Sequence, residues 1–223
     1  MRTTYLGAAL VTAAALTLTA CGGSGDGGGD GDKAEQAAEV SGGNTKPGHA
    51  IVLDRPKAKP DLVLTDTDGK KYDLVKETEG RPTLIYFGYT YCPDVCSLVM
   101  SNIGIAEKKL PKAERDKLQV VFVTTDPARD TPKRMRSWLD GQGGKDFVGL
   151  TGDFDTIQAA ARPLGILVEK PKKEKDGSIT VNHGAEVIGF SPKDDKNHWI
   201  YTTETTADQY AKDLPKLVKG QNP

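Results

Sequence analysis

The chain has 223 residues and a formal net charge of −1, from 30 lysines and arginines against 31 aspartates and glutamates. That balance lacks the basic excess on which nucleic-acid binding relies, so no nucleic-acid partner is expected. Only three cysteines are present, and beyond the N-terminus no apolar run is long enough for an integral membrane protein.

The N-terminus reads as an export signal. Arg2 precedes "YLGAALVTAAALTLTA", an apolar core too short to be a comfortable span and closed by small residues. Leu18-Thr19-Ala20-Cys21 resembles the lipobox of bacterial lipoproteins. The resemblance implies that residues 1–20 are a lipoprotein signal peptide and that Cys21 is lipidated after cleavage. Residues 21–47 are rich in glycine and acid, with five acidic side chains against two basic ones. Such a stretch cannot bury enough apolar surface to offset its ordering entropy, so it is expected to be a disordered tether. A Gly-rich coil of this length spans roughly 25–30 Å. Residues 48–223 then suit one globular domain, held at the extracytoplasmic face of a bacterial cell membrane.

Within the domain, "DLVLTDTDGKKYDLV" alternates apolar and polar residues around Asp68-Gly69, a hairpin signal. Leu84-Ile85-Tyr86-Phe87 is a continuous apolar run, which predicts a strand buried on both faces. A helix follows with Cys96, Val99, Ile103 and Ala106 on one stripe. "LQVVFVTTD" predicts a second buried strand. "TPKRMRSWLDG" predicts a helix capped by Thr131, with Pro132 in its first turn and Gly141 after its end. "DFVGLTGD" reads as a third strand, leading into the helical "FDTIQAAARPLG". "ILVEKPKKEKDGSITV" reads as a strand entering a basic turn at Asp176-Gly177. "AEVIGFSP" and "HWIYTT" predict two more strands, and "TADQYAKDLPKLVKG" a last helix. This order predicts a mixed α/β domain of three layers, with helices on both faces of a central mixed sheet.

The chemistry centres on "GYTYCPDVC", Gly88 to Cys96. Cys92 falls in the turn between a buried strand and a helix, and Pro93 suits the first helical position. Free N–H groups and the dipole at a helix start favour a thiolate at Cys92. Cys96, one turn on, lies along the same face. The spacing leaves three readings open. A structural Cys92–Cys96 disulfide would close a tiny loop and stabilise little. A thiol–disulfide oxidoreductase normally spaces its cysteines as Cys-x-x-Cys. A metal site needs further ligands beside the two sulfurs. Three histidines are available. His49 sits at the edge of the tether, and His198 begins a strand after a charged turn. His183 lies between two strand-like runs beside Gly184, where the chain must bend.

"YFGYTYCPDVC", "VTTDPARDTP" and "VNHGAEVIGFSP" together closely resemble the Sco (SenC) proteins, in order and spacing, from about Pro60 to the C-terminal helix. That family consists of membrane-anchored, thioredoxin-fold copper chaperones for cytochrome c oxidase assembly. The resemblance implies copper ligands Cys92, Cys96 and His183, with Asp126 near the copper site in metal transfer or partner docking. It implies as partners the copper-bearing subunit of cytochrome c oxidase, an upstream copper donor and a thiol reductant. Two features depart from the family: Gly184 replaces the more usual Ser, Thr or Ala, and "FSPKDD" replaces an Asp-Pro ending.

Soft thiolates select Cu(I), and an imidazole suits either copper oxidation state. Structural zinc prefers four ligands, and the domain has no third cysteine. Copper binding requires reduced thiols, so the Cys92–Cys96 disulfide is expected to be the empty state. Two other functions compete: a thiol–disulfide reductase or peroxidase that attacks through Cys92 and resolves through Cys96, and a copper or redox sensor. Met100 shares the face of Cys96 and is expected in the core. Asp94 is expected to place charge in the first helical turn, and Asp130 and Thr131 to cap a helix. The lysines of "EKPKKEKDG" are expected at a solvated hairpin tip.

Overall fold

A computed structural model describes residues 46–223. The expected signal peptide, Cys21 and nearly all of the tether lie outside the described residues. In chain order the elements are β1 (Ile51–Val52), β2 (Val63–Asp66), β3 (Lys71–Asp73), α1 (Leu74–Glu77), β4 (Thr83–Gly88), α2 (Val95–Glu107) and α3 (Lys112–Arg115). There follow β5 (Gln119–Thr124), α4 (Pro132–Gly141), β6 (Val148–Thr151), α5 (Phe154–Ala161), β7 (Lys172–Lys173), β8 (Ile179–Thr180), β9 (Val187–Phe190), β10 (Asn197–Tyr201) and α6 (Ala207–Leu217). Among the described residues no helix is long and apolar enough to cross a membrane.

Eight strands form one mixed sheet in the order β1-β10-β9-β4-β5-β6-β2-β3, and β7 and β8 make a separate two-stranded hairpin. β4, β5 and β6 run parallel, and β9 lies antiparallel to β4 on its other side. β4 therefore stands where parallel pairing gives way to antiparallel. Every residue of β4 and β5 is buried, as their unbroken apolar runs predict for strands covered on both faces.

Alternation along β4 builds the two cores. Leu84 and Tyr86 point to the layer of α2, α4 and α6, meeting Val99, Met100, Met135 and Leu214. Ile85 and Phe87 point to the other layer, meeting Leu74 of α1 and Ile157 of α5. Each such fully buried apolar side chain contributes about 1.5–3 kcal/mol relative to exposure. The expected stripe of Cys96, Val99, Ile103 and Ala106 is buried along α2, and Met100 is core with 0% exposure.

Three local expectations are corrected. Pro93 is not in the first helical turn: α2 begins at Val95, and Asp94 is its N-cap, accepting the Val95 N–H at 2.6 Å. Gly141 belongs to α4, and the left-handed residue after it is Gly143, at φ +82°. Asp130 caps nothing. Thr131 alone caps α4, accepting the Arg134 N–H at 3.3 Å. β1, α1 and α3, each four residues or fewer, lie outside the elements read from the sequence.

Candidate metal centre

β4 ends at Gly88, and the chain turns through Tyr89–Asp94 before entering α2. Gly88 is required by close packing. A Cβ there would lie 2.7 Å from Tyr86 Cε1 and 3.2 Å from Cys96 Sγ, so its absence lets the tyrosine ring and the sulfur converge. The turn is stapled by Asp130. Its buried carboxylate accepts hydrogen bonds from Thr90 N (2.9 Å), Thr90 Oγ1 (2.6 Å) and Thr124 Oγ1 (2.7 Å), joining the end of β5 to the turn. Thr90 Oγ1 also accepts from Arg134 Nε at 2.7 Å.

Both cysteines are free thiols, Cys92 half-buried and Cys96 buried. The Cys96 N–H, one of the orphan donors of the first helical turn, is 3.4 Å from Cys92 Sγ. Cys92 Sγ therefore takes up one N–H of the first turn of α2, beside the Asp94 cap. A hydrogen bond from the Cys96 thiol holds the Cys92 thiol down to about 4, helped by the Cys96 and Asp94 N–H groups and opposed by burial. The same hydrogen bond, followed by burial, pushes the Cys96 thiol up. One proton shared by two adjacent sulfurs thus stays on the inner one.

His183 stands at the base of the β7–β8 hairpin, bridged to Val168 across it. Its Nδ1 lies 2.7 Å from the Gly184 carbonyl. A carbonyl only accepts, so Nδ1 carries the proton and Nε2 presents a lone pair. Nε2 faces Cys96 Sγ at 3.7 Å. Two aromatic rings meet the imidazole edge-on, Tyr89 at 5.6 Å and Tyr86 at 6.3 Å between centroids. A cleft of ≈ 330 Å³ opens over this group, lined by Tyr89, Cys92, Pro93, Leu167, Asn182 and His183 among others.

The fold thus brings Cys92, Cys96 and His183 together from positions up to 91 residues apart in sequence, the three residues the sequence singled out. A tetrahedral ion with metal–sulfur and metal–nitrogen bonds of about 2.3 and 2.0 Å sets its sulfur and nitrogen about 3.5 Å apart. The Cys96–His183 pair, at 3.7 Å, is close to that separation. Among the described residues no three His, Cys, Asp or Glu side chains already form a group that could hold a metal ion. The donors are neighbours, and closing all three on one ion requires side-chain rotation.

Asp126 is buried but holds Arg129, not the sulfurs or the imidazole. Arg129 in turn stacks on the exposed ring of Tyr91 at 4.6 Å, with Arg134 on the same ring at 3.6 Å. Asp126 therefore reaches the rim of the site through Arg129. His49 is exposed. His198 lies half-buried in β10, with Nε2 2.9 Å from Asp194 Oδ2. Neither is at the site. The lysines of the β7–β8 hairpin are exposed, and Asp176-Gly177 forms its tip, with Gly177 at φ +87°. Where the sequence departs from the family pattern at Gly184, the Glu186 carboxylate fills the place a Cβ would take, 2.6 Å away. In "FSPKDD", Asp195 takes φ +56° and accepts from Lys59 Nζ at 2.6 Å, tying the loop to the chain before β2.

Sequence reading missed Tyr86, Tyr89 and the Asp130 staple. For Asp130 the only local signal is a carboxylate beside a threonine, which equally suits a cap. Its partner Thr90 is 40 residues away.

The fold and site define a class: a thioredoxin-like α/β domain with a dithiol at the strand–helix turn and a histidine brought in from a later hairpin. The SCO1/SenC family model matches residues 53–219, and the chain belongs to that family. A protein of Stutzerimonas stutzeri named as copper-binding is 33% identical over 144 residues, covering 65% of this chain and 69% of that protein. The structure of Bradyrhizobium japonicum ScoI with copper bound aligns at a TM-score of 0.63 with 29% identity, over 72% of this chain and 99% of that one. Mitochondrial SCO2 of Saccharomyces cerevisiae is 29% identical over 116 residues, half of this chain, and the match spans 36% of that protein.

Proposed function

We propose that this protein is a copper chaperone that carries copper on Cys92, Cys96 and His183 to the copper-bearing subunit of a cytochrome c oxidase. The observation that carries the reading is the lone-pair face of His183 Nε2 set 3.7 Å from Cys96 Sγ, with the activated Cys92 beside it. Two thiolates and an imidazole form a soft donor set suited to Cu(I), and copper is bound in the structure of the Bradyrhizobium relative. Three donors leave a coordination position open, through which an acceptor's ligand can bind before the chaperone's own ligands leave. Lipidation of Cys21 would hold the protein at the outer membrane face, and the 21–47 tether would let the domain reach an acceptor there. An upstream donor would load the copper, and a thiol reductant would open the Cys92–Cys96 disulfide, which cannot bind it.

One observation favours a second reading. A half-exposed thiolate at Cys92 backed by a buried, protonated thiol at Cys96 is also the layout of an attacking and a resolving cysteine. Copper titration of the reduced chain and its His183→Ala variant separates the two. The chaperone reading expects one tightly bound copper per chain, a thiolate-to-Cu(II) charge-transfer band, and weakened binding in the variant. Equal binding without His183, or turnover of disulfide or peroxide substrates that ignores His183, contradicts it.

A further inference from the structure

Beside the dithiol turn, one face of α4 carries cations without counterions among the described residues. Tyr91, next to Cys92 in sequence, keeps 46% of its surface exposed, with the guanidiniums of Arg129 and Arg134 on its ring. The two cations differ. Arg129 is neutralised by Asp126, and further along α4 Arg136 is neutralised by Asp140 at 2.9 Å. Among the described residues neither Arg134 nor its neighbour Lys133 has a carboxylate within ion-pair reach. Yet Arg134 is held in place: its Nε donates to Thr90 Oγ1 at 2.7 Å, and its guanidinium lies 3.6 Å from the centre of the Tyr91 ring. Its two terminal nitrogens donate to no group among the described residues, so the end of the fork that suits a carboxylate is open. Thr131, Lys133, Arg134, Ser137 and Trp138 line a second cleft, of ≈ 430 Å³. Trp138 is half-buried against Phe122, 5.0 Å between ring centroids, and its remaining surface walls that cleft.

We infer that this face of α4 and the Tyr91 rim form a docking surface for an acidic peptide segment of a partner protein. A carboxylate of the segment accepts from Arg134 and Lys133, and an apolar side chain packs on Trp138 in the cleft. Tyrosine, tryptophan and arginine are the residue types that carry most interface energy. An arginine already ordered in the free protein loses less side-chain freedom when it pairs. The cations set the sign of the partner, because a basic or neutral segment would cover them without compensation. Thr90 and Tyr91 lead directly into Cys92, so a partner held here lies beside the sulfurs. That the partner receives copper rests on the function proposed above; the surface itself does not.

The test uses the reduced, metal-free full chain with Cys21→Ser, labelled with nitrogen-15 so that the indole N–H of each of its two tryptophans reports separately by NMR. Trp138 lines the cleft, whereas Trp199 is buried, donates to Asn222 at 3.1 Å and serves as the internal reference. The probe is a short synthetic peptide of glutamate, leucine and glycine, with a counterpart in which glutamine replaces glutamate. The glutamate peptide is expected to shift the Trp138 resonance and not that of Trp199, and the glutamine peptide to shift neither. Salt at about 1 M, where the screening length falls to about 3 Å, should abolish the shift. Arg134→Gln should weaken peptide binding roughly tenfold and Lys133→Gln roughly threefold. Lys76→Gln, at an exposed lysine of α1 in the opposite layer, should match the parent. Lys133 is exposed, so its variant decides the matter where Arg134→Gln disturbs the turn. An unmoved Trp138 resonance, an equal response to the glutamine peptide, or parent-like binding by Lys133→Gln overturns the inference. Inorganic phosphate that shifts Trp138 as strongly as the peptide also overturns it, since the cleft would then be a small-anion site. Because no metal is present, a failure of docking leaves the copper reading standing, and a failure of copper to bind leaves the docking result standing.

Discussion

Cys92 and Cys96 stand at the end of a strand buried on both faces, whereas His183 stands at the base of a hairpin with two-residue strands. The dithiol turn is gripped from below by two cores and from the side by the three hydrogen bonds to Asp130. His183 is held by its bond to the Gly184 carbonyl, the bridge to Val168 and two ring edges. The hairpin above it is exposed along both strands. One half of the site is thus rigid and the other lightly tied. On the copper-carrier reading proposed above, that division lets the sulfurs keep the ion while the imidazole is the donor that leaves at least cost.

The largest expected effect breaks the rigid half at its chemistry. Cys92→Ala should lower copper affinity by more than about 1,000-fold in a competition titration, since two donors remain and one of them is buried; retained tight binding would show that Cys92 is not a ligand. Next comes the staple. Asp130→Ala leaves Thr90 and Thr124 donors unpaired inside the protein and should destabilise it by about 3 kcal/mol in urea unfolding. A loss below about 1 kcal/mol would mean that the turn is held by other means. The lightly tied half should behave in the opposite way. His183→Ala is expected to weaken copper binding roughly 10–100-fold while leaving stability within about 0.5 kcal/mol. A large stability loss would show the hairpin to be as structural as the turn.

The smallest effect sharpens the contrast from outside the site. Glu107 is buried near the end of α2, and burial, followed by the Asp146 charge, pushes its carboxyl up to about 7 from 4.5. A raised carboxyl binds its proton more tightly in the fold than in the unfolded chain. Its favourable contribution is therefore complete below pH 4.5 and is lost as pH rises through about 7. Glu107→Gln should stabilise the protein by about 1–2 kcal/mol at pH 8 and by less at pH 5. An equal gain at both values would mean that the carboxylate is solvated.

The same division decides what the sequence made legible. The apolar run of β4, the α2 stripe and the burial of Met100 follow from local periodicity, because both faces of β4 and one face of α2 are filled by neighbours of ordinary kind. Pro93 misled because Asp94, the better cap, follows it, so the helix starts one residue after the aspartate. Asp130 misled because a carboxylate before a cap residue looks local, while its partners belong to two different strand ends. Cys92 and Cys96 were visible as a pair. His183 was selected by resemblance, since nothing in its own surroundings reveals that a hairpin carries it back over the sulfurs. Tyr86 was legible only as a core residue, which is where the structure places it.

The most direct test of the central claim is copper-edge X-ray absorption on the Cu(I)-loaded full chain carrying Cys21→Ser, with and without His183→Ala. The account predicts a first shell of two sulfurs and one nitrogen, with the nitrogen lost and both sulfurs kept in the variant. A shell without sulfur, or one unchanged by His183→Ala, would contradict the assignment of this site to copper transport.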